Sequence, residues 1–458
     1  MDDHLQARKS TIATHPLDEE PHAMATERPQ RRDFLKTAVG AAIAAPYFVP
    51  STALAAPGRR GANDRIRVGL VGSGYRSRDL TKESPADLQL VAVADCDLRQ
   101  ITGYLDAVKD VPNSIVAENC KRYQDYREMF DKENLDAVFV ATTTHARALI
   151  CIHAMQAGLD VYAEKPLTLT IEEGQYLIRA ERKYGCVVQV GTQQRSIAIN
   201  NFGSDLVRDG AIGKVHTVIC PNFIGPEPRP ALPAKPTPPE MNWDMWCHQT
   251  ELIPHSSALH PGLGRWGRYR DYDGGGLGWG VTGWGAHAFD QVQRALGTDD
   301  TVPEEIRLTG SGPNAPVTMR YPNGTLLKLD LPKGKGPGLG AIFVGDKGKI
   351  EINRNRVASN PAKLVKGAPP PADKSEYASV AHAHIRNWVH CMRTRETPVA
   401  HTEIGHRASV ICILVNLCRE LGRPLKWDPV KEEFPGDDEA NSLRSRPRRK
   451  GDELPEII

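Results

Sequence analysis

The sequence predicts an α/β protein in two parts. A parallel sheet covered by helices on both faces comes first, followed by an α+β domain with a large, open, mostly antiparallel sheet. Three observations carry this. Apolar strand-like runs alternate with helical patterns over residues 65–192. Near residue 195 the alternation stops, and strand-like runs follow one another. The first apolar run ends in Gly72-Ser73-Gly74, the kind of turn that joins a buried parallel strand to a helix.

Ahead of this body stands a segment of another kind. Arg31 and Arg32 precede Asp33-Phe34-Leu35-Lys36, the order of a twin-arginine signal. The run from Thr37 to Val49 is rich in alanine and broken by Pro46. It falls short of the about 20 apolar residues that span a bilayer. Ala53-Leu54-Ala55 fits an A-x-A cleavage site. Residues 1–55 are therefore expected to be an export signal that hands a folded protein to the twin-arginine machinery, for the periplasm or beyond.

The elements follow in order. "RIRVGLVGSG" is a buried strand and its turn, and "LQLVAVADCD" is a second strand. "DAVFVATTT" is a third, leading into a helix from about His145 to Gly158. "DVYAEKP" is a short strand. Thr170 and Glu173 form a capping box that opens a helix closed by Gly185, and "CVVQVG" is the next strand. Strands that are apolar on both faces and separated by helices pair in parallel. Beyond residue 195 come "KVHTVICPNF", "EEIRLTGSG", "VTMRYPNGTLLKLDL" and "GAIFVGDKGKIEI", with Pro322-Asn323-Gly324 as a hairpin cue. A Pro-rich loop covers 225–240, and amphipathic helices are expected over 378–394 and 403–421. The plan is a signal (1–55), a first domain (64–192), a second domain (193–430) and a polar tail (431–458) lying along the surface.

Lys and Arg number 58 against 56 Asp and Glu, a net charge of +2, so no field draws in nucleic acid. The Arg-rich "RSRPRRK" near the end reads as a solvated terminus. The nine cysteines form no C-x-x-C pair and several lie inside apolar runs. They read as buried thiols rather than a disulfide framework, which suits folding in a reducing cytosol before export.

The chemistry starts at the first turn. Gly72 and Gly74 permit a tight turn and close approach of a pyrophosphate to the backbone, with a helix N-terminus behind it. The G-x-G-x-x-G fingerprint is incomplete, because Ser77 stands where its third glycine belongs. Asp95 closes the second strand 21 residues after Gly74. An acid there accepts hydrogen bonds from an adenine ribose and repels a 2′-phosphate, favouring NAD over NADP. Asp97 is a possible substitute. Ser73, Tyr75 and Arg76 in the turn, Thr142 and His145 after the third strand, and Glu164 complete the expected cofactor-binding set. Lys165 ends the strand in "YAEKP", at the edge where such sheets bind ligands, and Pro166 after it biases the peptide towards cis. A lysine beside a nicotinamide can relay a proton or polarise a carbonyl.

"GLVGSGYRS", "VAVADCD", "AGLDVYAEKPLT", "VVQVGTQQRS", "GAIGKV" and "WGAHAFD" together resemble the Gfo/Idh/MocA oxidoreductases over roughly residues 64–430. "NWDMWCH", "RWGRYRDYDGGG" and "KWDPVKEEF" resemble its exported, planctomycete-type branch. The resemblance implies a Rossmann domain followed by an open-sheet α/β domain, with assembly into dimers or tetramers through that sheet. It implies Lys165 as the E-K-P lysine, His287 as the proton acceptor from a substrate hydroxyl, and Asp290 as the acid of its H-x-x-D motif. Arg195, His287 and Trp284 are the candidate substrate contacts. The last belongs to a cluster with Trp243, Trp246, Trp266 and Trp279, whose faces suit the C–H faces of sugars.

One departure matters. Many members carry Asp four residues before the histidine, where this chain has Gly283. Asp271 and Asp273 are candidate replacements. The histidines at 382, 384, 401 and 406 lack metal-ligand spacing, and no metal is expected. The expected function is oxidation and reduction of a hydroxyl on a sugar, cyclitol or glycoside with a tightly held NAD. The alternatives are an NAD-dependent glycosidase working by transient oxidation and elimination, or a non-catalytic protein that binds NAD and carbohydrate.

Overall fold

The structure is a computed structural model that describes residues 64–112, 114–372 and 377–457. The expected export signal lies outside them. β1 (Ile66–Val71), β2 (Leu88–Ala94), β3 (Val116–Tyr123), β4 (Ala137–Val140), β5 (Asp160–Ala163) and β6 (Val188–Val190) form one sheet, ordered β3-β2-β1-β4-β5-β6 and parallel throughout. The order reverses between β1 and β4, the switch point at which open parallel sheets hold ligands. β4 and β5 are buried at every residue, which is why they read as unbroken apolar runs. β3 was not expected. Its polar side chains lie on an edge strand with no fully buried residue, so it carries no apolar signature.

Helices α1 (Tyr75–Glu83), α2 (Leu98–Val108), α3 (Tyr126–Lys132), α4 (Thr144–Gln156) and α5 (Ile171–Tyr184) connect these strands. The capping box on α5 has both arms: Glu173 N–H donates to Thr170 Oγ1 (3.3 Å), and Thr170 N–H donates to Glu173 Oε2 (3.2 Å). Gly185 ends the helix at φ 64°. Such a φ favours a residue without a Cβ.

After α6 (Ala198–Arg208), strands β7 (Val215–Pro221), β8 (Glu305–Leu308), β9 (Val317–Arg320), β10 (Leu326–Leu331), β11 (Ala341–Gly345), β12 (Gly348–Asn353), β13 (Arg356–Asn360) and β14 (Leu425–Lys426) build the second sheet, ordered β13-β12-β11-β7-β10-β9-β8-β14. Only β7 and β10 (Leu326–Leu331) pair in parallel. The hairpin between β9 (Val317–Arg320) and β10 turns at Gly324, φ 87°. Val218, Leu327, Leu329 and Phe343 face inward onto α9 (Ala286–Leu296) and α11 (Thr402–Leu421). α10 (Tyr377–Thr394) crosses back to the first sheet, where Trp388 meets Phe139 at 5.2 Å and Tyr162 at 5.6 Å between ring centroids. All nine cysteines are free thiols, and seven are buried.

Two irregular stretches lie over the carboxyl rim of the first sheet. The first leaves β7 and carries the short helices α7 (Trp243–Cys247) and α8 (Leu263–Trp266). It is fastened beside β2: Leu98 N–H donates to Glu240 O (3.1 Å), and Asn242 N–H to Cys96 O (2.8 Å). The second is the C-terminal tail, and here the expectation of a solvated terminus is corrected. Arg448 is buried against Glu173 at 2.8 Å, Arg449 pairs with Asp244 at 2.9 Å, and Arg446 donates to Asp271 O at 2.8 Å. Glu173 has no exposed side-chain surface, and a buried carboxylate requires a cation beside it.

Candidate active site

A cleft of about 790 Å³ opens along the carboxyl rim of the first sheet. Its cofactor end starts at the glycine turn. Gly72 has φ 87°, and a Cβ there would lie 2.8 Å from Ala141 O, so no other residue fits without displacing backbone. Gly74 precedes α1, and a Cβ on it would meet nothing within 4 Å. That open flank, with the free N–H groups of a helix start, fits a pyrophosphate. Ser77 Oγ donates to Gly72 O at 2.5 Å, so a hydroxyl ties the turn where the fingerprint has its third glycine. Asp95 Oδ2 accepts from both the N–H and the hydroxyl of Ser73 (2.8 Å each), and its Oδ1 accepts from Asp97 N–H (3.0 Å). The carboxylate is thereby fixed on the cleft wall, which Thr142, beyond the end of β4, also lines. Asp97 is turned away: it caps α2, pairs with Arg99 at 2.7 Å and holds His260 Nε2 at 3.0 Å.

The middle of the cleft is a charge network. Arg76 reaches from α1 to Glu164 (2.7 Å) and Glu83 (2.8 Å). Burial alone would raise the Glu164 carboxyl, but the Arg76 guanidinium overrides it and holds Glu164 below the ordinary carboxylate range. Tyr75 stands at the mouth, 79% exposed.

At the far end Lys165 leaves β5 through a cis peptide to Pro166, and its Nζ donates to Gly283 O at 3.0 Å. Burial lowers the Lys165 ammonium, opposed by Glu164 and Asp273. His287 lies on α9 with its ring buried, lining the cleft, and its Nδ1 has no partner among the described residues. Burial, with Arg354 and Lys165 nearby, pushes His287 well below the ordinary imidazole value. A neutral imidazole there is set to accept a proton. Asp273 also lines this end, accepting from Thr144 Oγ1 at 2.5 Å and from Thr282 Oγ1. Burial raises its carboxyl, while the two threonines, Arg147 and Lys165 pull the other way.

The description "oxidoreductase family, NAD-binding Rossmann fold" matches residues 66–192, and "oxidoreductase family, C-terminal alpha/beta domain" of the same family matches residues 227–453. The chain belongs to the Gfo/Idh/MocA oxidoreductase family. Among its relatives, the rhizopine catabolism protein MocA of Rhizobium meliloti is 24% identical over 43% of this chain and 59% of that protein. Inositol 2-dehydrogenase of Salmonella typhimurium is 29% identical over 28% of this chain and 36% of that enzyme. The chain thus spans between about a quarter and three-fifths of the curated relatives it matches. Of the solved structures, the WlbA dehydrogenase of Bordetella pertussis, in complex with NADH and UDP-GlcNAcA, superposes with a TM-score of 0.58 at 16% identity, over 80% of this chain and 99% of that one. Aldose-aldose oxidoreductase of Caulobacter crescentus gives 0.54 at 18% identity, over 79% and 99%. These likenesses show the fold.

Four residues expected at the Gfo/Idh/MocA site sit behind its walls. His145 Nε2 bonds Trp246 O at 2.9 Å, with its ring edge-on to Trp246 and Tyr272. Burial drives that imidazole down to about 3, so it packs as a neutral core side chain. Arg195 and Asp290 are spent on each other at 2.8 Å, with Asp299 as the second partner of Arg195 at 2.6 Å. Asp290 follows His287 by three residues on α9, and its carboxylate is held by that buried cation rather than facing the cleft. Trp284 packs against Trp279, with centroids 4.5 Å apart and planes tilted by 50°, and covers Gly338.

Gly283 has a structural cause. A Cβ there would meet Gly278 O, Leu277 O and Gly276 O at 2.7, 2.9 and 3.0 Å. The loop closes on itself, and no aspartate fits. Of the two candidate replacements, Asp273 faces the cleft, while Asp271 is held outward by Arg229 at 2.7 Å. Trp246 and Trp266 of the tryptophan cluster line the cleft, and so do Arg147, His248, His260 and Arg354, which were not singled out as site residues. The motif "NWDMWCH" marked the stretch that carries Trp246 and His248. Arg354, between β12 (Gly348–Asn353) and β13 (Arg356–Asn360), left no pattern in the sequence.

Proposed function

We propose that this protein is an NAD-dependent oxidoreductase acting on a hydroxyl of a sugar, cyclitol or glycoside, with its cofactor tightly held. One observation carries the reading: a single cleft has the glycine turn and Asp95 at one end and Lys165 with His287 at the other. The residues suit NAD. Gly74 leaves open the flank a pyrophosphate needs, and Asp95 presents a fixed carboxylate suited to two ribose hydroxyls and hostile to a 2′-phosphate.

Bound NAD would supply a two-electron acceptor for the substrate carbon. The chain supplies the rest. His287, kept neutral by burial, takes the proton from the substrate hydroxyl. Lys165, held by Gly283 O, donates a hydrogen bond to the same oxygen as its charge develops. Asp273 balances the positive charge that Lys165, Arg147 and a protonated His287 place together.

Retention of the cofactor follows from cover: Trp246, His248, His260, Leu263 and Trp266 form the cleft wall facing the sheet. Export through the twin-arginine route and pairing of two copies through the second sheet belong to the same proposal. The outward side chains of that sheet include Ile219, Ile342 and Val344, none fully buried in the single chain. The test is to purify the protein, denature it and identify the released nucleotide. Stoichiometric NAD supports the reading; a protein that neither carries nor binds a dinucleotide sinks it. Product analysis then separates an oxidoreductase, which yields a keto-sugar or polyol, from a glycosidase, which frees an aglycone at unchanged oxidation level.

A further inference from the structure

Past Asp95 the cleft continues into a compartment that the glycine turn does not reach. Its walls are Gln124 and Tyr126 at the start of α3, Ala146 and Ile150 on α4, and Met245 with His248 from the stretch that carries α7.

His248 is the unusual member. It is 3% exposed, yet neither Nδ1 nor Nε2 has a hydrogen-bond partner among the described residues. Its backbone, by contrast, is fully engaged. The N–H donates to Asp244 O at 3.0 Å, and the carbonyl accepts from Arg449 Nε at 2.7 Å. It ends α7 at φ 50°, a conformation a β-carbon disfavours. The fold therefore holds a strained backbone in place with the tail arginine and leaves the ring unsatisfied. A buried imidazole without partners is destabilising unless something meets it. The ring stacks on Tyr126, with centroids 6.3 Å apart and planes 28° apart, and it also walls a second cavity of about 560 Å³.

The ligand chemistry that fits is a flat heterocycle with apolar faces and a donor–acceptor edge. On the reading that a dinucleotide lies in this cleft, the group beyond the ribose at Asp95 is adenine. We infer that His248 recognises the adenine of the cofactor, bonding its polar edge through one ring nitrogen, and that the second domain thereby closes over the adenine end. His260, fixed on Asp97, supports the same wall but is already partnered. Through Arg449 the C-terminal tail becomes part of the cofactor's enclosure, since that arginine bonds both His248 and Asp244.

The experiment measures nucleotide exchange from the purified full chain against isotopically labelled NAD, by mass spectrometry, together with the dissociation constants of ADP and nicotinamide mononucleotide. His248→Phe should weaken ADP about tenfold, the loss of one good hydrogen bond, and speed NAD exchange, with nicotinamide mononucleotide unaffected. His248→Gln, which keeps a polar group, should recover most of that loss. In the wild type, ADP should shift the imidazole ¹⁵N resonances of His248, assigned by their loss in His248→Phe, whereas nicotinamide mononucleotide should leave them in place and act at His287. Unchanged ADP affinity in His248→Phe, or an unmoved imidazole spectrum, overturns the inference while leaving dinucleotide binding intact. A wild type that binds neither NAD nor ADP overturns both this inference and the reading beneath it.

Discussion

Two of the loops that hold glycines at the cleft, around Gly74 and around Gly283, use glycine for opposite purposes. In the first, Gly72 turns the chain at a φ of 87° where a Cβ would meet Ala141 O, and Gly74 keeps the backbone bare toward the cleft, where a Cβ would touch nothing within 4 Å. In the second, Gly274 to Gly285, the glycines let the loop fold onto itself. A Cβ on Gly280 would collide with Gly275 O, and one on Gly283 would meet three carbonyl oxygens. The first loop makes room for a ligand. The second makes room for its own backbone, and so presents Gly283 O to the Lys165 ammonium. Glycine content alone does not distinguish the cases, because only the surrounding atoms say what a side chain would displace.

The largest expected effect comes from attacking the second loop. Gly283→Asp, which installs the acid the family resemblance led one to expect, should lower stability by about 3 kcal/mol or more, by overpacking and by burying a carboxylate among carbonyl oxygens. Thermal denaturation measures it. An aspartate that is tolerated, with activity kept, would mean the loop is not closed as described. Next, Lys165→Met should cost roughly 10²–10⁴-fold in turnover while NAD is still retained, separating the chemistry end from the cofactor end. Equal loss of nucleotide in this variant would merge them.

Smaller effects are expected from the first loop. Gly74→Ala should keep the fold, since φ is −71° there, and weaken the dinucleotide about tenfold by filling the pyrophosphate flank. Unchanged affinity would break the contrast. Asp95→Ala should narrow the preference for NAD over NADP by a similar factor, read from the ratio of dissociation constants. The smallest effect is one of pH. An ordinary imidazole base loses activity as pH falls through about 6.5. His287 is held well below that, so its neutral form persists into more acid solution. The acid limb of kcat/KM should therefore lie below the ordinary histidine value, and a limb at or above it would mean the imidazole is not desolvated as the fold implies.

Much of the first domain could be read from residue order. β1, β2, β4, β5 and β6 are buried runs, the capping box on α5 is a local hydrogen-bond exchange, and Asp95 lies at a distance set by one βαβ unit. β3 was missed because an edge strand needs no apolar face. At the site, Lys165 and His287 were legible from motifs, whereas Arg195 and Asp290 were placed there although they neutralise each other inside the protein. Neighbours of His287 along its helix point in different directions, and Asp290 falls on the side facing Arg195. The tail arginines read as solvated because their partners are remote in the chain; Glu173, the partner of Arg448, lies 275 positions away.

By itself, then, the order of residues determined the features whose causes are local: strand and helix periods, caps, the glycine turn, and the acid one strand later. Tertiary structure decided what depends on atoms distant in the chain. It set the Gly283 carbonyl on the lysine and left Asp273 as the nearby acid, returned Arg195 and Asp290 to an ion pair, and brought His248 of the second domain over the rim of the first. The physical reason is that burial and charge compensation belong to a neighbourhood in space, and a residue's partners there are chosen by the fold.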